Sequence, residues 1–213
     1  MYLFMHDTIT ISRIEFENPR KKTYSLYQDD TFLIEISEDT LVHFSIVKGA
    51  VYSKNEFQKI IFFNQVNQCL HQAYSYLQRR QHLKKELFRK LYTKQFAVDI
   101  INQAMDHLQQ KNYINDFEFI RLYINDSIRQ RKSGPMLIKK KLAEKGAFTP
   151  DIELALQELF PEGLQIEISV EIITKKNQKL KESNPQKRKQ KLIQFGIGRG
   201  FSWSILESAV NNL

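Results

Sequence analysis

Cations are the reactive side chains most abundant in this sequence: 32 Lys and Arg stand against 24 Asp and Glu, a formal net charge of +8. Clustered lysine and arginine act electrostatically, pairing with phosphates or with an acidic protein surface. Groups suited to covalent or metal chemistry are sparse. Five histidines, His6, His43, His71, His82 and His107, include no HExxH spacing, and Cys69 is the single cysteine, so a zinc site of the usual Cys-rich type cannot be assembled. Gly196-Ile197-Gly198-Arg199-Gly200 superficially suggests a phosphate loop, but no strand precedes it and no Lys-Ser/Thr follows. It reads instead as a helix ending at Gly200. No serine sits in a nucleophile-elbow pattern, and Asp99, Asp106, Asp116 and Asp126 fall at helix starts or on polar faces. The sequence predicts a protein that is not an enzyme, with no catalytic residue, no metal, no cofactor and no small-molecule substrate.

The charge is divided unevenly. Up to residue 60 there are seven Lys/Arg and nine Asp/Glu; the remainder carries 25 and 15. The basic character thus belongs to the later part of the chain, where a footprint for DNA, RNA or an acidic protein would lie. With 213 residues, 42% of them hydrophobic, the chain can bury a core in one or two domains. No apolar run approaches the roughly 18 residues that cross a bilayer, and no basic, apolar and small-residue leader is visible at the start, so no membrane partner is expected. A lone cysteine suits a reducing compartment, and a cytoplasmic location is expected.

The elements that must position these cations change character along the chain. Up to about Ile46 the pattern is β-rich: Ile9 to Ile14 alternates, and Tyr24-Ser25-Leu26-Tyr27 and Phe32-Leu33-Ile34-Glu35-Ile36 flank a polar Gln28-Asp29-Asp30-Thr31 connection suited to a hairpin. Ser37 to Phe44 suits a short helix. Ser53-Lys54-Asn55-Glu56 fits a capping box that opens another helix running into Phe62. From Val66 the period becomes about 3.6. Val66, Cys69, Leu70, Ala73, Tyr74 and Leu77 form one stripe, Leu83, Leu87 and Leu91 a second, and Val98, Ile101, Ala104, Met105 and Leu108 a third. A second set follows: Phe117, Ile120, Ile124 and Ile128; then Ile138 and Leu142; then Ile152, Ala155, Leu156, Leu159 and Phe160, on a helix that Thr149 would cap ahead of Pro150. Leu164 to Ile172 alternates strictly, as a half-buried strand would, although Leu164, Ile168 and Ile172 also lie four apart on one helical face. Lys175 to Lys191 reads as a solvated basic helix end and loop around Pro185, and Ser202 as the cap of a last helix through Val210.

Parts of the helical region repeat. Glu86-Leu87-Phe88-Arg89-Lys90-Leu91-Tyr92-Thr93-Lys94 and Leu137-Ile138-Lys139-Lys140-Lys141-Leu142-Ala143-Glu144-Lys145 both place an apolar residue four before a leucine, basic residues between, and a lysine three after. Asn115-Asp116-Phe117-Glu118-Phe119, Arg131-Lys132-Ser133-Gly134-Pro135 and Leu142-Ala143-Glu144-Lys145-Gly146 resemble the middle repeat of the RecX family, regulators of the RecA recombinase. Glu86-Leu87 with Lys90-Leu91 and Lys94 resembles the second helix of that family's first repeat, and Arg199-Gly200-Phe201-Ser202 the motif that closes its third. The resemblance runs from about Val66 onward. It implies a mainly α fold of three tandem three-helix repeats, an elongated curved module, with a helix at 164–173. The organisation expected is a small β-rich N-terminal extension over 1–64 and repeats over 65–111, 112–161 and 162–213. Three departures stand out: His82-Leu83 where a serine cap is common, Lys141 in place of a glutamate, and Gly196 where a leucine is common, which would loosen the third repeat's core.

The resemblance also implies a mechanical role: inhibition of RecA by lodging in its filament on single-stranded DNA, with weaker ATPase and strand exchange. The partners expected are the RecA filament and single- or double-stranded DNA. The alternative is a basic helical protein acting directly on nucleic acid. On helical wheels Leu87 and Leu91 face inward, so Lys85 and Arg89 point away; Ile138 and Leu142 likewise leave Lys140 outward and Lys139 on the flank. The candidate contact residues are these four with Arg131, Lys132, Lys145, Lys187, Arg188, Lys189, Lys191 and Arg199.

Overall fold

The structure, a computed structural model, describes residues 8–18 and 22–211. His6 lies outside them. The chain divides into two compact units: the first comprises residues up to Arg80 with Leu87–Tyr113, the second Gln81–Glu86 with everything from Ile114.

In the first unit β1 (Thr8–Thr10) pairs antiparallel with β5 (Val51–Ser53), while β2 (Arg13–Asn18), β3 (Thr23–Gln28) and β4 (Thr31–Ser37) form an antiparallel meander. The expected hairpin is present: Gln28 pairs with Thr31, and Asp29 takes the positive φ of 52° that a two-residue connection needs. Ser37 caps α1 (Glu38–His43) through its side chain. The Ser53/Glu56 capping box opens α2 (Lys54–Leu77), which continues well beyond Phe62. The change of period at Val66 therefore falls inside one unbroken helix, because both patterns serve α2 with different partners. Near its start Phe57 and Ile60 join a core with Ile9, Ile11, Leu26, Ile36 and Ile46. Asn64, fully buried, ties α2 to the sheet: its Oδ1 accepts from Ser37 N–H and Thr40 Oγ1, and its Nδ2 donates to Glu35 O. Further along, Val66, Cys69, Leu70 and Ala73 are buried, and α2 packs on α4 (Val98–Gln110). There Ile100 is buried and Val98 is 50% exposed, which corrects the assignment of Val98 to the core stripe. Val98 is the first residue of α4, where the backbone enters from an extended Ala97 before the buried face is established.

α3 (Lys84–Thr93) carries the buried Leu87 and Leu91. The second unit contains α5 (Asp116–Arg129), α6 (Pro135–Lys145), α7 (Thr149–Leu159), α8 (Glu162–Lys179), α9 (Pro185–Gly198) and α10 (Trp203–Asn211). Leu83, Ile120, Ile124, Ile138, Leu142, Ile152, Phe160, Ile168, Ile172, Ile173, Leu192, Phe201 and Leu206 supply its core. The alternating segment at 164–173 is helical, with Ile168 and Ile172 buried one turn apart. Local chemistry explains several of the helix ends. Asn115 accepts from Glu118 N–H, Asn184 from Lys187 N–H and Ser202 from Ile205 N–H, and Gly146 stops α6 at φ +91°. Where a serine cap is common, Asp116 serves the start of α3: its Oδ1 accepts from Lys84 N–H at 2.7 Å. α7 begins at Thr149 itself, with Phe148 in the cap position and no side-chain cap bond, so the expected Thr149 cap is displaced by one residue.

Two sequence expectations are corrected here. The loop around Pro185 is short, since α8 extends to Lys179 and Pro185 opens α9, where its fixed φ suits a first turn. Gly196 does not loosen the core: it is buried, and a Cβ there would stand 2.1 Å from Leu206 Cδ2, so Leu206 already fills the space a larger side chain would take.

Candidate functional site

Two glycines build the site. Gly134 N–H donates to Arg199 O at 2.8 Å and Met136 N–H to Gly200 O at 3.0 Å, stitching the start of α6 to the end of α9. The approach leaves no room for side chains. A Cβ on Gly134 would lie 2.4 Å from the carbonyl carbon and oxygen of Gly200, and one on Gly200 would lie 2.4 Å from Leu137 Cβ. Gly200 also holds φ +91°, a region L-residues rarely enter. The contact brings the Arg131-Lys132-Ser133 segment beside Arg199, whose Nη1 donates to Arg131 O at 3.1 Å.

Around this junction opens a groove of about 600 Å³. Its cations are Arg131, Lys132, Lys141, Lys175, Lys176, Lys179 and Arg199; its one carboxylate is Glu171; Leu137, Ile172 and Phe195 form apolar lining. Aromatic faces hold several of the cations. Lys176 Nζ and the Arg199 guanidinium stand 5.3 Å and 5.4 Å from the Phe195 ring centre, and the Arg131 guanidinium 5.4 Å from that of Tyr123. Glu171 bridges two of the lysines, Oε2 to Lys132 Nζ at 2.8 Å and Oε1 to Lys175 Nζ at 2.7 Å. Hydrogen bonds from Lys132 and Lys175 push its carboxyl down to about 2, against an ordinary 4.5, so it is ionised in the groove. Arg131 also stands 3.6 Å from Asp126. An array of seven cations around one internal anion gives the groove a net positive charge, the electrostatic complement of an anionic ligand.

Of the sequence candidates, Arg131, Lys132 and Arg199 line this groove. The other nine do not. Arg188 is a structural brace, donating to Asn177 Oδ1, Asn177 O and Glu182 O and so joining α8 to α9. Lys191 pairs with Glu182 at 2.6 Å, and Lys139 pairs with Glu153. Lys189 donates to Asn211 Oδ1 at 3.0 Å. Lys85 is exposed at the start of α3, its stem lying against Gly146, and Lys140, Lys145 and Lys187 are exposed. Arg89 is exposed on α3 and belongs to the first unit.

Sequence reasoning missed Lys141, Lys175, Lys176 and Lys179. The last three lay in the run read as a solvated helix end; spacing of 175, 176 and 179 at i, i+1 and i+4 on a longer helix was the available signal. Lys141, a departure from the family pattern, stands in the groove wall. Among the described residues no group of His, Cys, Asp or Glu could hold a metal ion, and no helix is long and apolar enough to cross a membrane.

Comparison with known proteins agrees with this architecture. The family model of the first three-helix domain of RecX matches residues 69–108, and that of the third three-helix domain matches residues 165–210. A protein of Streptococcus agalactiae serotype Ia named Regulatory protein RecX is 32% identical over 204 residues, covering 95% of this chain and 76% of the relative. A protein of the same name from Staphylococcus carnosus is 28% identical over 206 residues, covering 95% and 75%. Among solved structures, one titled "Crystal structure of regulatory protein RecX" superposes with a TM-score of 0.77 at 24% identity, over 95% of this chain and 98% of that one, a likeness of fold. The structure of RecX from Lactobacillus salivarius gives 0.67 at 25% identity, over 70% and 96%.

Proposed function

The chain belongs to the RecX family of regulatory proteins, and on that premise we propose that it inhibits the RecA recombinase by binding the RecA filament on single-stranded DNA, with the cationic groove of its second unit as a contact surface. The observation that carries this reading is the groove itself: seven cations and one carboxylate gathered by a glycine-dependent backbone junction. Such a surface lowers the free energy of an anionic polymer laid along it and leaves covalent chemistry to the partner. The protein acts by occupancy, so its effect on the recombinase is a change in filament turnover and not a reaction of its own.

Titrating the protein into a recombinase–single-strand ATPase assay tests this. Dose-dependent inhibition is expected at substoichiometric or stoichiometric ratios, and unchanged ATPase at full filament occupancy by the recombinase would refute it. A second reading, direct action on nucleic acid with no need of recombinase, draws on the same groove. Salt separates the two. Phosphate-dominated binding to bare DNA weakens steeply with salt, whereas capture by the filament requires the recombinase at any salt.

A further inference from the structure

Glu171 is the one anionic side chain in a groove whose other charged groups are all donors. Its neighbours in the lining are guanidinium and ammonium groups with Gln130 and Ser133, and its carboxylate spans two lysines from different elements, Lys132 ahead of α6 and Lys175 within α8. An ordinary helix-surface pair would involve one lysine one turn away; Lys175 at i+4 is that pair, and Lys132 is the additional one. The side chain is not locked in. Glu171 is 35% exposed and Lys175 69%, so the carboxylate can swing toward solvent without opening the core.

We propose that Glu171 is a built-in counter-anion holding the place of a single-stranded DNA phosphate between Lys132 and Lys175, and that a bound strand displaces it. The idea rests on the groove reading above and adds an occupant and a regulating residue. A phosphodiester brings two acceptor oxygens and one charge, as a carboxylate does, and can take over the same two lysines. The occupant is a nucleic-acid backbone and not an acidic peptide because of donor counting. A peptide strand carries an N–H for nearly every C=O, and a groove with seven donor-only cations against one carboxylate offers few side-chain acceptors for them; a phosphodiester backbone only accepts. The apolar lining from Leu137, Ile172 and Phe195 meets sugar and base faces. Once displaced, the tethered carboxylate remains nearby and cancels about one cation, so Glu171 lowers affinity and sets a threshold that only a polyanion engaging several of the other cations passes.

The experiment measures binding of fluorescein-labelled oligo-dT, without recombinase, across a salt series, for the full chain, Glu171→Gln, Glu171→Ala and the groove reversal Lys175→Glu/Lys176→Glu/Lys179→Glu. A labelled polyglutamate peptide is the competing probe, and circular dichroism melts confirm folding. Both Glu171 variants are expected to bind oligo-dT several-fold more tightly, with a slope of log K against log salt steeper by about 0.7, the value of one more neutralised phosphate on a single strand. Weaker or unchanged binding by folded Glu171→Gln and Glu171→Ala would make the residue a mere brace for its lysines and overturn the proposal. Preference for polyglutamate over oligo-dT would overturn it as well. If the groove reversal abolishes binding while the Glu171 variants change nothing, only the counter-anion idea fails. If the reversal binds oligo-dT as the parent does, DNA is not held in this groove and the proposal fails, while the filament reading stands or falls separately on the recombinase ATPase titration.

Discussion

Replacing Gly134 by alanine should separate the two strands of backbone that build the groove. The added Cβ would sit 2.4 Å from the Gly200 carbonyl carbon and oxygen and 2.5 Å from Phe201 N. None of these is the flexible end of a side chain, so relief requires the backbone to part by about 1 Å to reach ordinary van der Waals distance. A shift of that size stretches the bonds from Gly134 N–H to Arg199 O and from Met136 N–H to Gly200 O, now 2.8 Å and 3.0 Å, beyond hydrogen-bonding range. With Gly134 and Gly200 both buried, each orphaned pair costs about 1–2 kcal/mol, or roughly 2–4 kcal/mol together. At about 2–4 °C per kcal/mol for a chain of this size, the melting temperature should drop by roughly 5–15 °C. Trp203, the only tryptophan, begins α10 three residues after Gly200, so its fluorescence reports this unit in a urea or thermal melt. Gly163→Ala is the control: nothing lies within 4 Å of its added Cβ, and it should be neutral or slightly stabilising. A Gly134→Ala melt matching the parent within a degree would refute the claim that this junction needs a glycine.

Other expectations follow from single sites. Gly196→Leu, which restores the residue common in the family, should destabilise by about 1–3 kcal/mol through overpacking against Leu206, and adding Leu206→Ala should recover part of it; stabilisation by Gly196→Leu alone would mean the site is a void after all. Burial pushes the Cys69 thiol up to about 11, so at pH 8 the native protein should resist a disulfide reagent that modifies it fully in denaturant; rapid native labelling would contradict its place in the core. Because the folded-state pKa of Glu171 is depressed to about 2 from 4.5, the stability linked to it is present above the unfolded value and is lost as pH falls from there toward 2. Melting of the parent should therefore decline more steeply than that of Glu171→Gln over that range, and parallel declines would show that the bridge to Lys132 and Lys175 adds nothing.

What the sequence revealed depended on how far apart the interacting residues lie. The hairpin at Gln28–Thr31 and the capping box at Ser53 and Glu56 are local chemistry and appear as expected. The resemblance decided Leu164–Ile173, where a period of two and a helical i, i+4 pattern coexist and packing chose the helix. Non-local devices were hidden. Leu206 filling the space beside Gly196, Asp116 capping α3 from the start of α5, and Arg199 meeting Arg131 all join residues that only the fold makes neighbours. The groove shows the same limit: its two motifs, Arg131-Lys132-Ser133-Gly134-Pro135 and Arg199-Gly200-Phe201, were each visible, but not that their glycines touch. Charge counting located the basic half of the chain and could not say which cations share a wall, nor that Arg188 is spent on holding α8 to α9.

The central claim is that this groove carries inhibition of the recombinase, and charge reversal within it is the direct test. Lys175→Glu/Lys176→Glu/Lys179→Glu turns a lining of seven cations and one carboxylate into four of each, while the control Lys140→Glu/Lys187→Glu/Lys189→Glu makes the same change in net charge at residues outside the lining. Lys175 and Lys179 are exposed, whereas Lys176 is half-buried against Phe195 and Lys175 pairs with Glu171, so helicity and melting of both variants are measured alongside to establish that they are folded. In a recombinase–single-strand ATPase titration at fixed salt, the parent and the control should inhibit at similar concentrations and the groove variant should require at least tenfold more. Equal inhibition by a folded groove variant would contradict the account and move the working surface elsewhere on the protein.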